Sequence, residues 1–184
     1  MSADDPDAAL LAQVAAGEAA SVRRLVAAKA PRLMALAGRL LDDRGEAEDV
    51  TQEAFVRLWK VAPRWRTGQA KVDTWLHGIT LNLCRDRLRR RRETVTDTPP
   101  DRADPAPLAD VALIADERDA RVAAAIAALP ERQREAILLQ YYQDLGNIAA
   151  AEVMGVSVEA LESLLSRARR TLRARLMEGA GDDA

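Results

Sequence analysis

In the first half of the chain apolar residues recur every three or four positions, the repeat of helices with one buried side. Four helices are expected there: Ala8–Ala16, ended by Gly17; Ala19–Leu41, with Ser21 as an internal start and Pro31 as a bend or break; Gly45–Val61; and Asp73–Arg92. In the third, Val50, Ala54, Leu58 and Val61 form the apolar stripe, flanked by Phe55. In the fourth, Leu76, Ile79 and Leu83 mark the core side. The pattern stops in 93–116, where Pro99, Pro100, Pro105 and Pro107 stand among aspartates. Each proline lacks an N–H and clashes with the preceding turn, so no helix runs through them. The helical repeat resumes as Glu117–Ala128, Glu131–Tyr142 behind Pro130, Ile148–Met154 ended by Gly155, and Val158–Met177 behind the cap Ser157. The expected fold class is all-α: two small helical domains, 8–92 and 117–177, joined by a flexible acidic Pro-rich linker, 93–116. No repeat of about 20–50 residues is evident, so a solenoid is not expected.

The end of the chain carries the sharpest local signal. "IAAAEVMGVSVEALESLLSRARRTLRARL" reads as a short helix, a Gly-Val-Ser turn and a second helix, the helix-turn-helix pattern. Ala151 supplies the small side chain where two helices cross, Gly155 the positive φ of the turn, and Val156 a core plug. Leu161, Leu164, Leu165, Ala168 and Leu172 make the buried stripe of the second helix. Arg167, Arg169, Arg170, Arg173 and Arg175 lie elsewhere on it, suited to phosphates and base edges. A helical hairpin in a plain bundle, with cations complementing a helix C-terminus, is the bland reading of the same residues.

A second face belongs to the helix over Asp73–Arg92. Trp75, Gly78, Asn82, Arg85 and Arg89 follow one another at spacings of three and four and share one side. An aromatic stacks on an unpaired base, an amide bonds a base edge and arginines hold phosphates, a set suited to single-stranded nucleic acid. Trp75 taken alone reads equally well as a packed core residue. Asp49, Gln52, Glu53 and Arg57 form the charged outer face of the preceding helix, which by itself signals only solvation.

Charge changes this picture little in bulk and much in detail. The chain has 27 basic and 29 acidic side chains, a net charge of −2. Basic residues gather in Arg85–Arg92 and Arg167–Arg175, so any polyanion would meet local stripes. Cys84 is the one cysteine, which excludes an internal disulfide and a CxxC metal site; a small helix-packing role is expected, with a redox-sensing thiol as the minor alternative. Neither a membrane-spanning run nor a basic-then-apolar leader is present, so a cytoplasmic location is expected. His77 is expected at a surface or interface. With one His, no Gly-rich phosphate loop and no HExxH, no enzyme, metal or cofactor is implied.

Three segments in order then carry a resemblance: "EAEDVTQEAFVRLW", "TWLHGITLNLCRDRLRR" and "LPERQREAILLQYY…GVSVEALESLLSRARRTLRARL". Together they resemble an extracytoplasmic-function (ECF) sigma factor of the sigma-70 family, the minimal kind that keeps only regions 2 and 4. The resemblance implies that Asp49, Gln52 and Glu53 face the clamp helices of the β′ subunit of core RNA polymerase, which also offers its β subunit. It implies that Trp65, Arg66 and Lys71 belong to a loop pocketing a base flipped from the −10 promoter element. Trp75 and Asn82 would read the separated −10 strand, with Arg85, Arg87 and Arg89 on its phosphates. Unstacking each base costs about a few kcal/mol, which these contacts must offset. In region 4 the helix from Val158 would enter the −35 major groove, with Ser157, Glu159, Glu162, Ser163, Ser166, Arg167 and Arg170 as candidate contacts.

The chain departs from the family's commonest pattern in that helix. Ala160-Leu161-Glu162-Ser163-Leu164 stands where many members have Thr-Val-Lys-Ser-Arg, and Ala149-Ala150 replaces a common Glu-Ile. Expected partners are core polymerase, promoter DNA and an anti-sigma factor, without small-molecule substrate or membrane insertion. The alternative is a sigma-like decoy that binds an anti-sigma factor and not DNA; a stand-alone repressor would leave the first domain unexplained.

Overall fold

The computed structural model describes residues 5–66, 68, 70–95 and 117–178, and all regular structure among them is helical. Most of the linker reading, residues 96–116, lies outside the described residues, as do Thr67 and Gln69 of the Trp65–Lys71 loop. The chain divides into two compact units, Met1–Arg102 and Ala103–Ala184.

The first unit contains α1 (Ala8–Ala15), α2 (Ala19–Leu41), α3 (Arg44–Val61), a 3-10 turn (Ala62–Arg64) and α4 (Val72–Val95). Packing among α2, α3 and α4 makes its core, with α1 laid on α2 and on the 3-10 turn. Leu25, Leu33, Leu36, Leu41, Val50, Ala54, Leu58, Leu76 and Leu81 are all removed from solvent. Pro31 does not break α2, which is helical from Ala19 to Leu41. A proline inside a helix costs about 3 kcal/mol, and burial of Leu25 and Leu33 on either side offsets it. Asp42 ends the helix in the left-handed region at φ 52°, and Asp43 caps α3 by accepting from the Glu46 N–H at 2.8 Å. Arg91 closes the far end of the unit. It donates to the Leu41 carbonyl at 2.8 Å and pairs with Glu46 at 3.0 Å.

α4 buries more of its surface than its aliphatic residues foretell. Leu76 and Leu83 are buried as expected, but Ile79 is only half-buried, while Thr74, His77, Thr80 and Cys84 are buried. His77 is therefore not a surface residue: it is 1% exposed. Its Nδ1 lies 2.7 Å from the Asp73 carbonyl, which can only accept, so Nδ1 carries the proton. A ring with one nitrogen bonded to its own preceding turn is cheaper to bury than an unbonded one, and α4 is covered by both α2 and α3.

The start of α4 is held from far away in sequence. Asp5 Oδ2 accepts from the Val72 N–H at 3.0 Å in a buried contact spanning 67 residues, and Asp5 Oδ1 accepts from the Asp7 N–H at 3.1 Å. Lys29, on α2, pairs with Asp7 at 2.6 Å and Asp73 at 3.0 Å. Burial works against the charge on Asp73, but His77, Lys29 and Arg32 outweigh it and hold the carboxyl below its ordinary 3.8. Burial likewise opposes the charge on Lys29, and Asp7 and Asp73 outweigh it and raise the amine above 10.5. Stability from a lowered carboxyl is present above its unfolded value and lost as pH falls through the folded one. That from a raised amine is present below 10.5 and lost as pH rises through its folded value. The stability difference between wild type and Asp73→Asn is therefore expected to hold across neutral pH and to shrink below 3.8. Urea unfolding of both proteins across pH checks this, and a difference that persists unchanged in acid would refute it.

The second unit contains α5 (Glu117–Ala127), α6 (Glu131–Ile137), α7 (Asn147–Met154) and α8 (Val158–Glu178). α5, α6 and α7 each pack on α8. The expected single helix Glu131–Tyr142 widens after Ile137 into a π turn, Leu138–Tyr142. There the Gln143 N–H reaches the Leu138 carbonyl at 3.0 Å, five residues back. Within this turn Leu138 and Leu139 are buried, and Tyr141 and Tyr142 are exposed. Ala151 is buried, and Gly155 takes φ 66° as the helix-turn-helix requires. Leu161, Leu165 and Ala168 are buried, whereas Leu164, Leu172 and Val156 are only half-buried.

Candidate nucleic-acid interface

α4 presents Trp75, Gly78, Asn82, Arg85 and Arg89 outside its buried face: Asn82 and Arg89 are exposed and the other three half-buried. Arg85 Nη1 donates to Asn82 Oδ1 at 3.3 Å, which orients the amide, and Arg89 Nη2 pairs with Asp86 at 3.0 Å. A Cβ added at Gly78 would meet open space, so this stretch of the face is unobstructed within the chain.

At the N-terminal end of this face the chain forms a cavity of about 290 Å³, lined by Lys60, Val61, Arg64, Trp65, Arg66, Ala70 and Trp75. The two indoles meet edge to face, with centroids 5.9 Å apart and planes at 85°. Trp65 Nε1 is buried without a partner, an unspent hydrogen-bond donor in the indole that walls the cavity. Lys60, Arg64 and Arg66 bring three cations to the aromatic wall. Lys60 and Arg64 were not among the residues expected here. They belong to the end of α3 and the 3-10 turn, and only folding brings them to the tryptophans. Lys71 is exposed just before α4, and its carbonyl accepts the first α4 bond, from the Trp75 N–H at 2.9 Å.

The outer face of α3 is separate. Asp49 and Gln52 are exposed, and Glu53 accepts from Arg57 Nε at 2.9 Å, which lowers the Glu53 carboxyl below its ordinary value. Arg87 does not share the Trp75 side of α4. It turns toward α3, with Nη1 3.6 Å from Asp49 Oδ2.

On α8, Ser157 Oγ accepts from the Ala160 N–H at 3.2 Å and caps the helix. Backbone and Ser157 hydrogen bonds favour the charged form of Glu159, in the first turn. Glu162 accepts from Asn147 Nδ2 at 3.1 Å, and Asn147 in turn accepts from Gln140 at 2.6 Å. This amide relay from the turn after α6 to α8 had no local sign in the sequence. Arg167 donates to Ser163 Oγ at 3.0 Å, and Ser166 and Arg170 are exposed. Among the described residues no group of three or more His, Cys, Asp or Glu side chains is gathered for a metal ion.

One family model matches within each of these two units. Residues 25–94 match sigma-70 region 2 and residues 119–172 match sigma-70 region 4. The chain is also 34% identical over 177 residues to the ECF RNA polymerase sigma factor SigM of Mycobacterium tuberculosis, spanning 93% of this chain and 84% of that one. The chain belongs to the ECF group of the sigma-70 family. This sigma factor is 35% identical over 188 residues to the probable RNA polymerase sigma factor RfaY of Xanthomonas campestris pv. campestris. That match spans 97% of this chain but only 46% of RfaY, about half its length. Among solved structures it resembles the sigma factor RpoE of Bartonella quintana, in complex with the anti-sigma factor NepR, with a TM-score of 0.67 and 25% identity. The likeness covers 84% of this sigma factor and 96% of that chain. The α3 and α4 site residues fall inside the region 2 match and the α8 residues inside the region 4 match.

Proposed function

We propose that this sigma factor binds core RNA polymerase, places its two units on the −10 and −35 promoter elements and promotes strand separation. The observation that carries the reading is the Trp65–Trp75 cavity, whose Trp75 wall belongs to the helix that also carries Asn82, Arg85 and Arg89. A cavity walled by indoles accepts an unstacked base, the oriented amide meets a base edge, and the guanidinium groups follow the backbone. Asp49, Gln52 and Glu53 offer polymerase an exposed polar face, to which the β′ subunit is assigned. The candidate contacts of α8 are assigned to the −35 major groove. In a chain of net charge −2, delivery by polymerase rather than bulk attraction explains why the cations are local. The RpoE–NepR complex supports control by an anti-sigma factor. A cytoplasmic location follows from this reading, since the proposed partners are polymerase and promoter DNA.

A second reading, a decoy that holds an anti-sigma factor and not DNA, is favoured by one observation. Glu162 stands tied to Asn147 on the helix assigned to the −35 element, where a carboxylate repels phosphate. Run-off transcription with purified core polymerase on genomic fragments separates the two. Transcripts that require the protein are expected, with Asn82→Ala reducing their yield about tenfold, in the range of a lost base contact. Asp49→Ala is expected to weaken capture of core polymerase. No transcript from any fragment, together with tight anti-sigma binding, would leave the decoy.

A further inference from the structure

The cavity has two walls, and the N-terminal segment touches the supports of both. One wall rises from the end of α3 and the 3-10 turn, on which α1 packs; the other is the first turn of α4, which Asp5 caps. Asp5 is 8% exposed and uses both carboxylate oxygens, one on Val72 and one on Asp7. Lys29 completes the brace by joining Asp7 to Asp73, one residue beyond the capped Val72. The first intrahelical bond of α4 is donated by Trp75, so the N–H groups of residues 72–74 have no partner in their own helix. Asp5 satisfies the first of them. Without it the turn that carries Trp75 is free to fray, and the edge-to-face contact with Trp65 loses its fixed partner. Asp5 and Asp7 lie before the residues 25–94 matched by the region 2 model, so that match assigns them nothing.

We propose that Asp5 is a positioning residue for strand separation: the segment from Asp5 through α1 sets the distance between the two tryptophan walls that receive an unstacked base. The proposal rests on the functional reading above. Asp5 touches no DNA; it acts through the first turn of α4. Its loss therefore falls on the opening step and spares polymerase capture, which is assigned to the outer face of α3.

The test uses full-length protein with core polymerase and a promoter fragment that the wild-type holoenzyme selects from genomic DNA. Opening is followed by a fluorescent base analogue in the −10 segment, beside core-polymerase affinity and transcription from a pre-opened bubble template. Asp5→Ala is expected to slow opening about tenfold with core affinity held within about twofold, and the bubble template restores transcription. Asp5→Asn keeps one acceptor for Val72 and is expected to fall between. Lys29→Met breaks the other arm of the brace while keeping an apolar stem, and shifts opening in the same direction. Circular dichroism and thermal melts confirm that each variant folds. Opening at the wild-type rate in both Asp5→Ala and Lys29→Met overturns the proposal. So does an equal loss on duplex, on bubble template and in core affinity, which marks Asp5 as a stabiliser of the fold alone. If the wild-type protein opens no fragment, the functional reading itself fails and takes the proposal with it, an outcome told apart by the inert wild type.

Discussion

Trp75→Ala is expected to slow promoter opening about tenfold to a hundredfold, because base–aromatic stacking is worth about 1–3 kcal/mol per base. Two losses combine. The unstacked base loses its platform, and Trp65 loses the indole that meets it at 5.9 Å. Trp75 is half-buried, so part of its surface packs within the unit and part remains for a ligand. A fluorescent base analogue in the −10 segment reads the opening step, and a pull-down of core polymerase serves as the control. Trp75→Phe keeps an aromatic face with less area and should recover part of the rate. Opening within about twofold of wild type in Trp75→Ala would remove stacking from the account of this cavity.

Leu161→Ala is expected to cost about 3 kcal/mol, within the range for a leucine deleted from a closed core. Leu161 is wholly buried on the side of α8 that packs against the other helices of the second unit. A domain of this size is worth about 3–9 kcal/mol in all, so one such cavity removes a large share of its stability. Amide hydrogen exchange over α6, α7 and α8 should lose most of its protection, and −35 binding should fall with it. Leu161→Met conserves volume and should cost less than about 1.5 kcal/mol. A loss under about 1 kcal/mol in Leu161→Ala would mean that the site collapses around the gap and that the core is looser than its burial indicates.

Much of this fold is legible along the chain because helix ends are local. Gly155 takes the positive φ expected of it, Ser157 caps α8, and the expected helices lie within a few residues of the observed ones. Periodicity went astray where burial does not follow hydrophobicity. Ile79 is less buried than the histidine two residues before it, because a polar ring bonded to its own helix can enter a core covered from two sides. Pro31 is a helix breaker by propensity, and the packing around α2 overrides it. The widening after Ile137 follows a run of consecutive buried residues, Glu135 to Leu139, a pattern that no single helical face expresses.

The face assigned to the −10 strand was readable because one helix carries all of it: residues at spacings of three and four share a side whatever the helix packs against. Other features required the folded chain. The Trp65–Trp75 cavity takes cations from the end of α3 and the 3-10 turn. Arg87 turns from the arginine run toward Asp49, and Glu162 is tied to Asn147. Asp5 reaches Val72 across 67 residues. Helix periodicity and capping act over a few residues and so leave their mark in the order of the chain. A cap, an ion pair or a cavity wall contributed by another helix leaves none, because its geometry exists only once the apolar faces have closed.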